Sequence, residues 1–289
     1  MEEKKNIFIL LESKAEELEL INFFMKSCPN FSIYLFFWDT HKESFFSKEK
    51  NIKDIESELF SADIVVNLLP KQSQIYREIG QKLEKMKLLK WQNSIATNLL
   101  FLQKSNIKKL FEKFNIKTPV FKKISKKEKA GELFLNFPQP SRIFSKSNDY
   151  FSEKLESLKD IEGVFNVINI SDESYYIEEY VEGIDWYVFI FKDGDEIRSY
   201  FIEDNNNKTI DFEDTVQKID ELSKKVFLDF GIEKFALLNI KKTKKGKIYF
   251  LNIFSDLYIF NNSKKDIIDK IFEKYDLNLR DFLQSIYNI

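Results

Sequence analysis

The chain has 289 residues, of which 43% are hydrophobic and 16% aromatic, and its formal net charge is −2. These values exclude a disordered protein and do not support a nucleic-acid-binding protein. The single cysteine, Cys28, has no internal disulfide partner, and no apolar run is long enough to span a bilayer. We therefore expect a cytoplasmic globular protein with two or three subdomains and with neither nucleic acid nor membrane as partner.

The first hundred residues alternate continuous apolar runs with helical periodicity. Residues 6–11, 31–38 and 63–69 predict buried strands, and residues 75–86 predict a helix. Such alternation indicates a parallel sheet with right-handed crossovers. The only histidine, His41, follows the second predicted strand among polar residues and is expected in a surface loop.

An amphipathic helix is predicted before Pro119, because apolar residues recur there at intervals of three and four. The residues of this stripe are Ile107, Leu110, Phe111 and Phe114. Farther along, residues 151–158 predict another helix and residues 164–170 predict a strand.

Residues 175–191 contain two aromatic and β-branched runs joined by a short acidic segment. This pattern predicts two strands, and Gly183 supplies the flexible backbone for the change of direction between them. Residues 215–230 predict an amphipathic helix that Gly231 ends.

The remaining pattern is strand, strand, helix. Residues 235–240 and 247–254 predict two strands, and residues 241–247 are expected to form a solvated, lysine-rich hairpin tip. Apolar residues from Ile267 to Phe272 then predict the last main helix.

Four stretches carry a family resemblance: residues 63–84, 94–104 (SIATNLLFLQK), 137–143 (FPQPSRI) and 175–191. They resemble, in order, motifs of ATP-grasp enzymes of the D-alanine–D-alanine ligase type. The resemblance implies an α/β (α+β) ATP-grasp fold with an N-terminal Rossmann-like parallel-sheet domain. The implied divisions are residues 1–93 for that domain, 94–174 for a central ATP-grasp subdomain and 175–289 for a C-terminal ATP-grasp subdomain.

The resemblance also implies a nucleotide ligand, ATP or ADP, and the residues that bind it. Lys104 and Arg142 stand at the family's two phosphate-binding lysine positions. The hinge against which adenine is expected to lie reads Glu178, Glu179, Tyr180 and Val181, and Asp185 stands at the ribose-binding acid.

The metal-binding positions depart from the family pattern. The family places Arg-x-Asp on one strand and Glu-x-Asn on the next, where this chain has Leu237 and Asn239, then Asn252 and Phe254. Asn239 and Asn252 are therefore degenerate metal positions, and Asp256, two residues after Phe254, is the nearest acid available to replace them. Neutral amides are poor Mg²⁺ ligands, so these substitutions argue against Mg²⁺ as a cofactor.

Other family signals are missing as well. The family's glycine-rich phosphate loop corresponds to residues 144–150, which contain no glycine. The segment 203–211 is too short for the family's substrate lid, and only Ser263 matches the last substrate loop.

These departures favour a catalytically degenerate relative that keeps the scaffold for nucleotide binding or for a regulatory role with a partner. The alternative is an active ATP-dependent carboxylate–amine ligase that acts through an acyl phosphate with atypical ligands. A third hypothesis is a structural partner that binds no nucleotide. A homodimer formed through the N-terminal domain, or a complex with an active paralogue, is the expected assembly.

Overall fold

The computed structural model describes residues 5–12, 21, 25, 31–47, 51–52, 54–71, 73–88, 92–125, 127–145, 154–168, 174–203, 212–255, 265–278, 282 and 285. These residues contain three β-sheets, each with helices packed against it. Within the described ranges, every helix is too short or too polar to cross a membrane.

The N-terminal sheet is built mainly from parallel strands. Its strands are β1 (Lys5–Glu12), β2 (Phe31–Asp39), β3 (Ser44–Phe46), β4 (Asn51–Ile52) and β5 (Ile64–Leu68), and its helices are α1 (Ile55–Leu59) and α2 (Gln74–Lys85). The strand order is β4-β3-β2-β1-β5. β1 pairs in parallel with β2 and β5, which confirms the predicted parallel sheet, and β3 and β4 extend it in the antiparallel direction.

The middle of the chain forms a small antiparallel sheet covered by helices. Its elements are α3 (Ile95–Leu100), α4 (Lys104–Lys113), β6 (Phe121–Lys123), α5 (Ala130–Asn136), β7 (Ser141–Ser145), α6 (Leu158–Phe165) and β8 (Tyr175–Glu179). The strand order is β6-β8-β7, so β8 is the central strand. The predicted division at residues 174 and 175 therefore falls just before a strand that hydrogen-bonds within this sheet.

The C-terminal part forms a four-stranded antiparallel sheet. Its elements are β9 (Ile184–Asp193), β10 (Glu196–Glu203), α7 (Phe212–Asp229), β11 (Phe235–Lys242), β12 (Ile248–Phe254) and α8 (Lys265–Lys274). The strand order is β10-β9-β11-β12. Gly231 follows α7 with φ +64°, the left-handed conformation that glycine adopts without strain.

The four-stranded sheet has an apolar core on each face, because side chains alternate along its strands. On one face, Tyr187 and Phe189 of β9 join a core with Ile7 and Ile9 of β1. On the other face, alternate residues of β9 join a core with α4 and α7. Full burial of a phenylalanine side chain contributes about 1.5–3 kcal/mol, so these cores hold the two sheets and their helices together.

The segment before β8 differs from the prediction. Residues 154–157 of the helix predicted at 151–158 are not helical and precede α6, and residues 164–168 of the strand predicted at 164–170 end α6 and the turn after it; residues 151–153 and 169–170 lie outside the described residues. Ser157 and Asp160 form a capping box: the Asp160 N–H donates to the Ser157 hydroxyl at 3.3 Å, and the Ser157 N–H donates to the Asp160 carboxylate at 2.8 Å. This cap begins the helix at residue 158 and outweighs the strand propensity of the β-branched residues.

Candidate functional site

A buried carboxylate, that of Glu178 in β8, lies at the centre of the candidate site. Its Oε2 atom is 3.1 Å from the Lys104 Nζ and 2.9 Å from the Arg142 Nε. Its Oε1 atom forms an ion pair with the Lys108 ammonium. Both lysine side chains are fully buried and the Arg142 side chain is 14% exposed. Three cationic side chains therefore surround one carboxylate in the protein interior. We call these four residues the charged cluster.

Local structure brings the members of the charged cluster together. Lys104 and Lys108 are one helical turn apart in α4, so they lie on the same face as the buried Ile107. Arg142 stands directly opposite Glu178 in the antiparallel pairing of β7 with β8. Two lysines from one helix and one arginine from the neighbouring strand thus reach the same side chain.

Burial and charge act in opposite directions on these groups. Burial raises the pKa of Glu178, but the charges of Lys104, Lys108 and Arg142 outweigh it and lower that pKa to about 2. Burial lowers the pKa of Lys104 well below its usual value, although Glu178 opposes this shift. The pKa of Lys108 is also lowered by burial. A neighbouring anion would oppose the effect of burial on the lysines and raise the lowered pKa of Lys104.

The two lysines differ in their other contacts. The Lys108 ammonium also donates to the Thr118 hydroxyl at 2.7 Å, and that hydroxyl donates to the carbonyl oxygen of Phe250 in β12 at 2.9 Å. The Lys104 ammonium lies 4.6 Å from the centre of the Phe144 ring. Lys108 therefore ties α4 to the four-stranded sheet.

The hinge after β8 is held by the three-stranded sheet. The Glu179 N–H donates to the Val120 carbonyl at 2.8 Å, and the Tyr180 N–H donates to the Pro140 carbonyl at 2.9 Å. The next residue, Val181, is 7% exposed, and its N–H has no hydrogen-bond partner among the described residues. The hinge thus presents a fixed backbone donor at residue 181.

Gly183 allows the hinge to approach β11 closely. A Cβ atom at this position would lie 2.3 Å from the Lys242 carbonyl oxygen, a distance that no side chain tolerates. The glycine is therefore required by the closeness of two backbones, whereas the sequence interpretation assigned it to backbone flexibility.

Asp185 of β9 is paired with a lysine from the adjacent strand. Lys241 lies directly opposite it in β11, with the Nζ atom 2.8 Å from the Asp185 Oδ2. Lys241 is 9% exposed, so the prediction of a solvated tip is wrong for this residue. The centre of the Tyr180 ring is 5.8 Å from the Lys241 Nζ and 5.8 Å from the Arg142 Cζ. Tyr180 thus lies between the charged cluster and the Asp185–Lys241 pair.

The predicted metal positions face one another across β11 and β12. Asn239 is directly opposite Asn252, and Leu237 is opposite Phe254. The Asn252 Oδ1 accepts a hydrogen bond from the backbone N–H of the next residue at 3.0 Å. The Asn239 Nδ2 is buried and has no hydrogen-bond partner among the described residues. We call Leu237, Asn239, Asn252 and Phe254 the neutral strip.

The donors of the neutral strip do not fit Mg²⁺. This ion requires hard oxygen ligands, normally including carboxylates, at near-octahedral geometry. In the part of the chain that the structure describes, no group of three or more His, Cys, Asp or Glu side chains is arranged to hold a metal ion. Asp256, the predicted substitute ligand, lies outside the described residues, as do residues 146–150 of the predicted phosphate loop.

The structure connects several predicted site residues and adds two others. Lys104, Arg142 and Glu178 meet directly, and Tyr180 connects them to Asp185. Sequence reasoning assigned no role to Lys108 or Lys241. Lys108 had a signal, because it occupies a core position in the apolar stripe of α4. Lys241 had a weaker one, its alternation with Asn239 along β11.

A groove of about 630 Å³ lies elsewhere, between β10 and α7. Its lining includes Ser199, Asp220 and Lys224 but none of the predicted site residues. The Lys224 ammonium lies 2.8 Å from the Asp220 carboxylate, so these charges already neutralise each other. This groove is therefore not the candidate site.

The fold is similar to those of solved D-alanine–D-alanine ligases. D-alanyl-alanine synthetase A from Vibrio cholerae O1 biovar eltor matches with a TM-score of 0.73 at 14% identity, over 99% of this chain and 98% of that one. The D-alanine–D-alanine ligase from Coxiella burnetii matches with a TM-score of 0.71 at 14% identity, over 99% and 94%. The ligase from Bacillus anthracis complexed with ATP matches with a TM-score of 0.70 at 15% identity, over 99% and 97%.

Comparison of sequences adds nothing to this likeness: no family model and no curated protein sequence matches the chain. The identities to the solved structures are low, and the agreement extends over nearly the full length of both chains. The chain therefore has the ATP-grasp fold of the D-alanine–D-alanine ligases, at low sequence identity to them.

Proposed function

We propose that this chain is a non-ligating ATP-grasp protein that binds ADP or ATP between its three-stranded and four-stranded sheets. Adenine lies against residues 178–181 of the hinge, the ribose meets Asp185, and the phosphates lie beside Lys104 and Arg142. The ATP complex of the Bacillus anthracis ligase, a protein of the same fold, supports this class of ligand.

The observation that best supports this proposal is the contrast between the charged cluster and the neutral strip. The cluster has cationic side chains, which are the groups that bind phosphates in proteins. The neutral strip has amides and apolar groups where acyl-phosphate chemistry needs metal ligands and an oxyanion donor. Leu237 is fully buried and has no hydrogen-bond donor in its side chain. Among the described residues, the cationic side chains favour nucleotide binding, and the neutral strip has no carboxylate that would hold a catalytic metal ion.

Calorimetry with ADP and with 2′-deoxy-ADP tests the placement of the nucleotide. The wild-type protein should bind ADP more tightly than the 2′-deoxy form, by about fivefold to tenfold, because Asp185 accepts a hydrogen bond from the 2′-hydroxyl. Asp185→Asn should reduce this preference, whereas Glu182→Gln, on the exposed side of the hinge, should retain it. No heat and no thermal shift with either nucleotide at millimolar concentration would refute nucleotide binding.

Phosphate release from ATP separates this proposal from an active ligase. We expect D-alanine, other amino acids and small dipeptides to leave the rate at background. Phosphate release that D-alanine stimulates and that Lys104→Ala abolishes would establish the active carboxylate–amine ligase instead. Asp256→Asn would then show whether that residue supplies the missing carboxylate.

The oligomeric state of the chain can also be measured. We propose a homodimer formed through the N-terminal domain, where Met25, Tyr34 and Phe60 are between 47% and 79% exposed. A complex with an active paralogue is the other proposed assembly. Light scattering that gives a monomer at micromolar concentration would exclude the homodimer and leave the heteromeric complex to be tested by co-expression.

A further inference from the structure

We propose that the nucleotide is bound as the free polyanion, without a divalent cation, and that lysine and arginine side chains neutralise its phosphates. This inference rests on the proposed nucleotide site and adds the ionic form of its ligand. It follows from the disagreement between the donors of the neutral strip and the ligands that Mg²⁺ needs.

The neutral strip supplies amide groups and apolar side chains. The Asn252 Oδ1 is a neutral amide oxygen that already accepts one backbone hydrogen bond, so it offers a metal ion no charge and one remaining lone pair. The Asn239 Nδ2 is buried without a partner among the described residues, and an N–H group is complementary to an anion. Leu237 and Phe254 fill the remaining positions with carbon atoms. A phosphate oxygen suits this surface better than a cation does.

The charges facing the nucleotide site are mainly positive. Lys104 and Arg142 share the carboxylate of Glu178 with a third cation, and Lys241 is paired with Asp185. Each of the two carboxylates is therefore already engaged by cations. Among the described residues, a divalent cation carried in with the phosphates would be repelled by these cationic side chains, whereas the phosphates of a free nucleotide would be attracted by them.

Calorimetry of ADP binding in EDTA and in excess MgCl₂, with ionic strength matched by NaCl, tests the inference. We expect binding in EDTA, and an affinity at least about threefold weaker when Mg²⁺ neutralises part of the ligand's charge. Binding only with Mg²⁺, or at least tenfold tighter with it, would overturn this inference and leave the proposed function standing. Absence of binding in both buffers would overturn both.

Variants of the cationic side chains provide a second measurement. Arg142→Gln and Lys241→Gln should each weaken ADP binding in EDTA by about tenfold, since each removes one charge from the phosphates' surroundings. Lys225→Gln is the matched control, because Lys225 is paired with Asp229 on the exposed surface of α7. Circular dichroism of each variant verifies folding. Equal affinity of all three variants and the wild type would contradict charge neutralisation by these side chains.

Carboxylates restored to the neutral strip should reverse the ionic preference. Asn239→Asp with Asn252→Glu should weaken binding in EDTA by about tenfold and make it tighter when Mg²⁺ is added, because two carboxylates can share one ion. Neither carboxylate alone should produce the full effect. If the wild type prefers MgADP and Asp256→Asn removes that preference, residue 256 supplies a metal ligand and the inference is wrong.

Discussion

The charged cluster and the neutral strip are built in opposite ways. In the cluster, cations from α4 and β7 surround the buried carboxylate of Glu178. In the strip, β11 and β12 bring together two amides, a leucine and a phenylalanine, none of which carries a charge. The difference shows that, among the described residues, charged and uncharged side chains occupy separate parts of the structure.

The largest expected effect comes from removal of the central carboxylate. Glu178→Gln should lower the free energy of unfolding by about 3–5 kcal/mol, because three cations would be left without their shared anion. Urea denaturation measures this change. Glu182→Gln, whose carboxylate is exposed and pairs with Lys154, is the control and should leave the midpoint unchanged. A loss below about 1 kcal/mol for Glu178→Gln would mean that the cluster is mainly functional.

Acid should remove the contribution of the charged cluster to the free energy of unfolding. The pKa of Glu178 is lowered from about 4.5 to about 2, so its contribution is present above pH 4.5 and is lost as the pH falls toward 2. The free energy of unfolding of the wild type should therefore fall through this interval. The difference between wild type and Glu178→Gln should shrink over the same interval, since protonation makes the two side chains alike. A difference that stays constant from pH 6 to pH 2 would contradict the lowered pKa.

The close approach of the hinge to β11 depends on Gly183. Gly183→Ala should destabilise the protein by about 1–3 kcal/mol, because the new Cβ would displace the backbone of β11 at Lys242. Gly163→Ala is the matched control: it lies in α6 with open space around it, so alanine should stabilise the helix by about 0.5–1 kcal/mol. Thermal unfolding of the two variants should give shifts of opposite sign. If both variants unfold at a higher temperature than the wild type, the hinge accommodates the added methyl group at residue 183 without loss of stability.

The smallest expected effect is a fraction of a proton taken up on nucleotide binding. Burial lowers the pKa of Lys104, and a neighbouring phosphate would raise it again, so ADP should bind with net proton uptake. ADP affinity should consequently decrease as the pH rises toward the ordinary pKa of lysine. Titrations in two buffers of different ionisation enthalpy measure the uptake directly. Identical heats in both buffers would show that Lys104 does not change its protonation on binding.

Much of the fold, and the residue types at the candidate site, can be read directly from the amino-acid sequence. Continuous apolar runs predicted β1, β2 and β5, because strands of a parallel sheet are buried on both faces. The order of motifs predicted the ATP-grasp fold, which the solved structures confirm. The sequence also predicted that the neutral strip has no carboxylate, because residue identity alone decides this.

Only the tertiary structure decided which charges meet. Glu178 lies 74 positions from Lys104, and the packing of α4 against β8 joins them. The pairing of Lys241 with Asp185 depends on the register of β9 with β11, which a local pattern does not specify. The start of α6 was also misjudged, because hydrogen bonds of the Ser157 and Asp160 side chains outweighed the propensity of the residues that follow. Local periodicity reports which face of an element is apolar, whereas ionic contacts depend on which faces pack together.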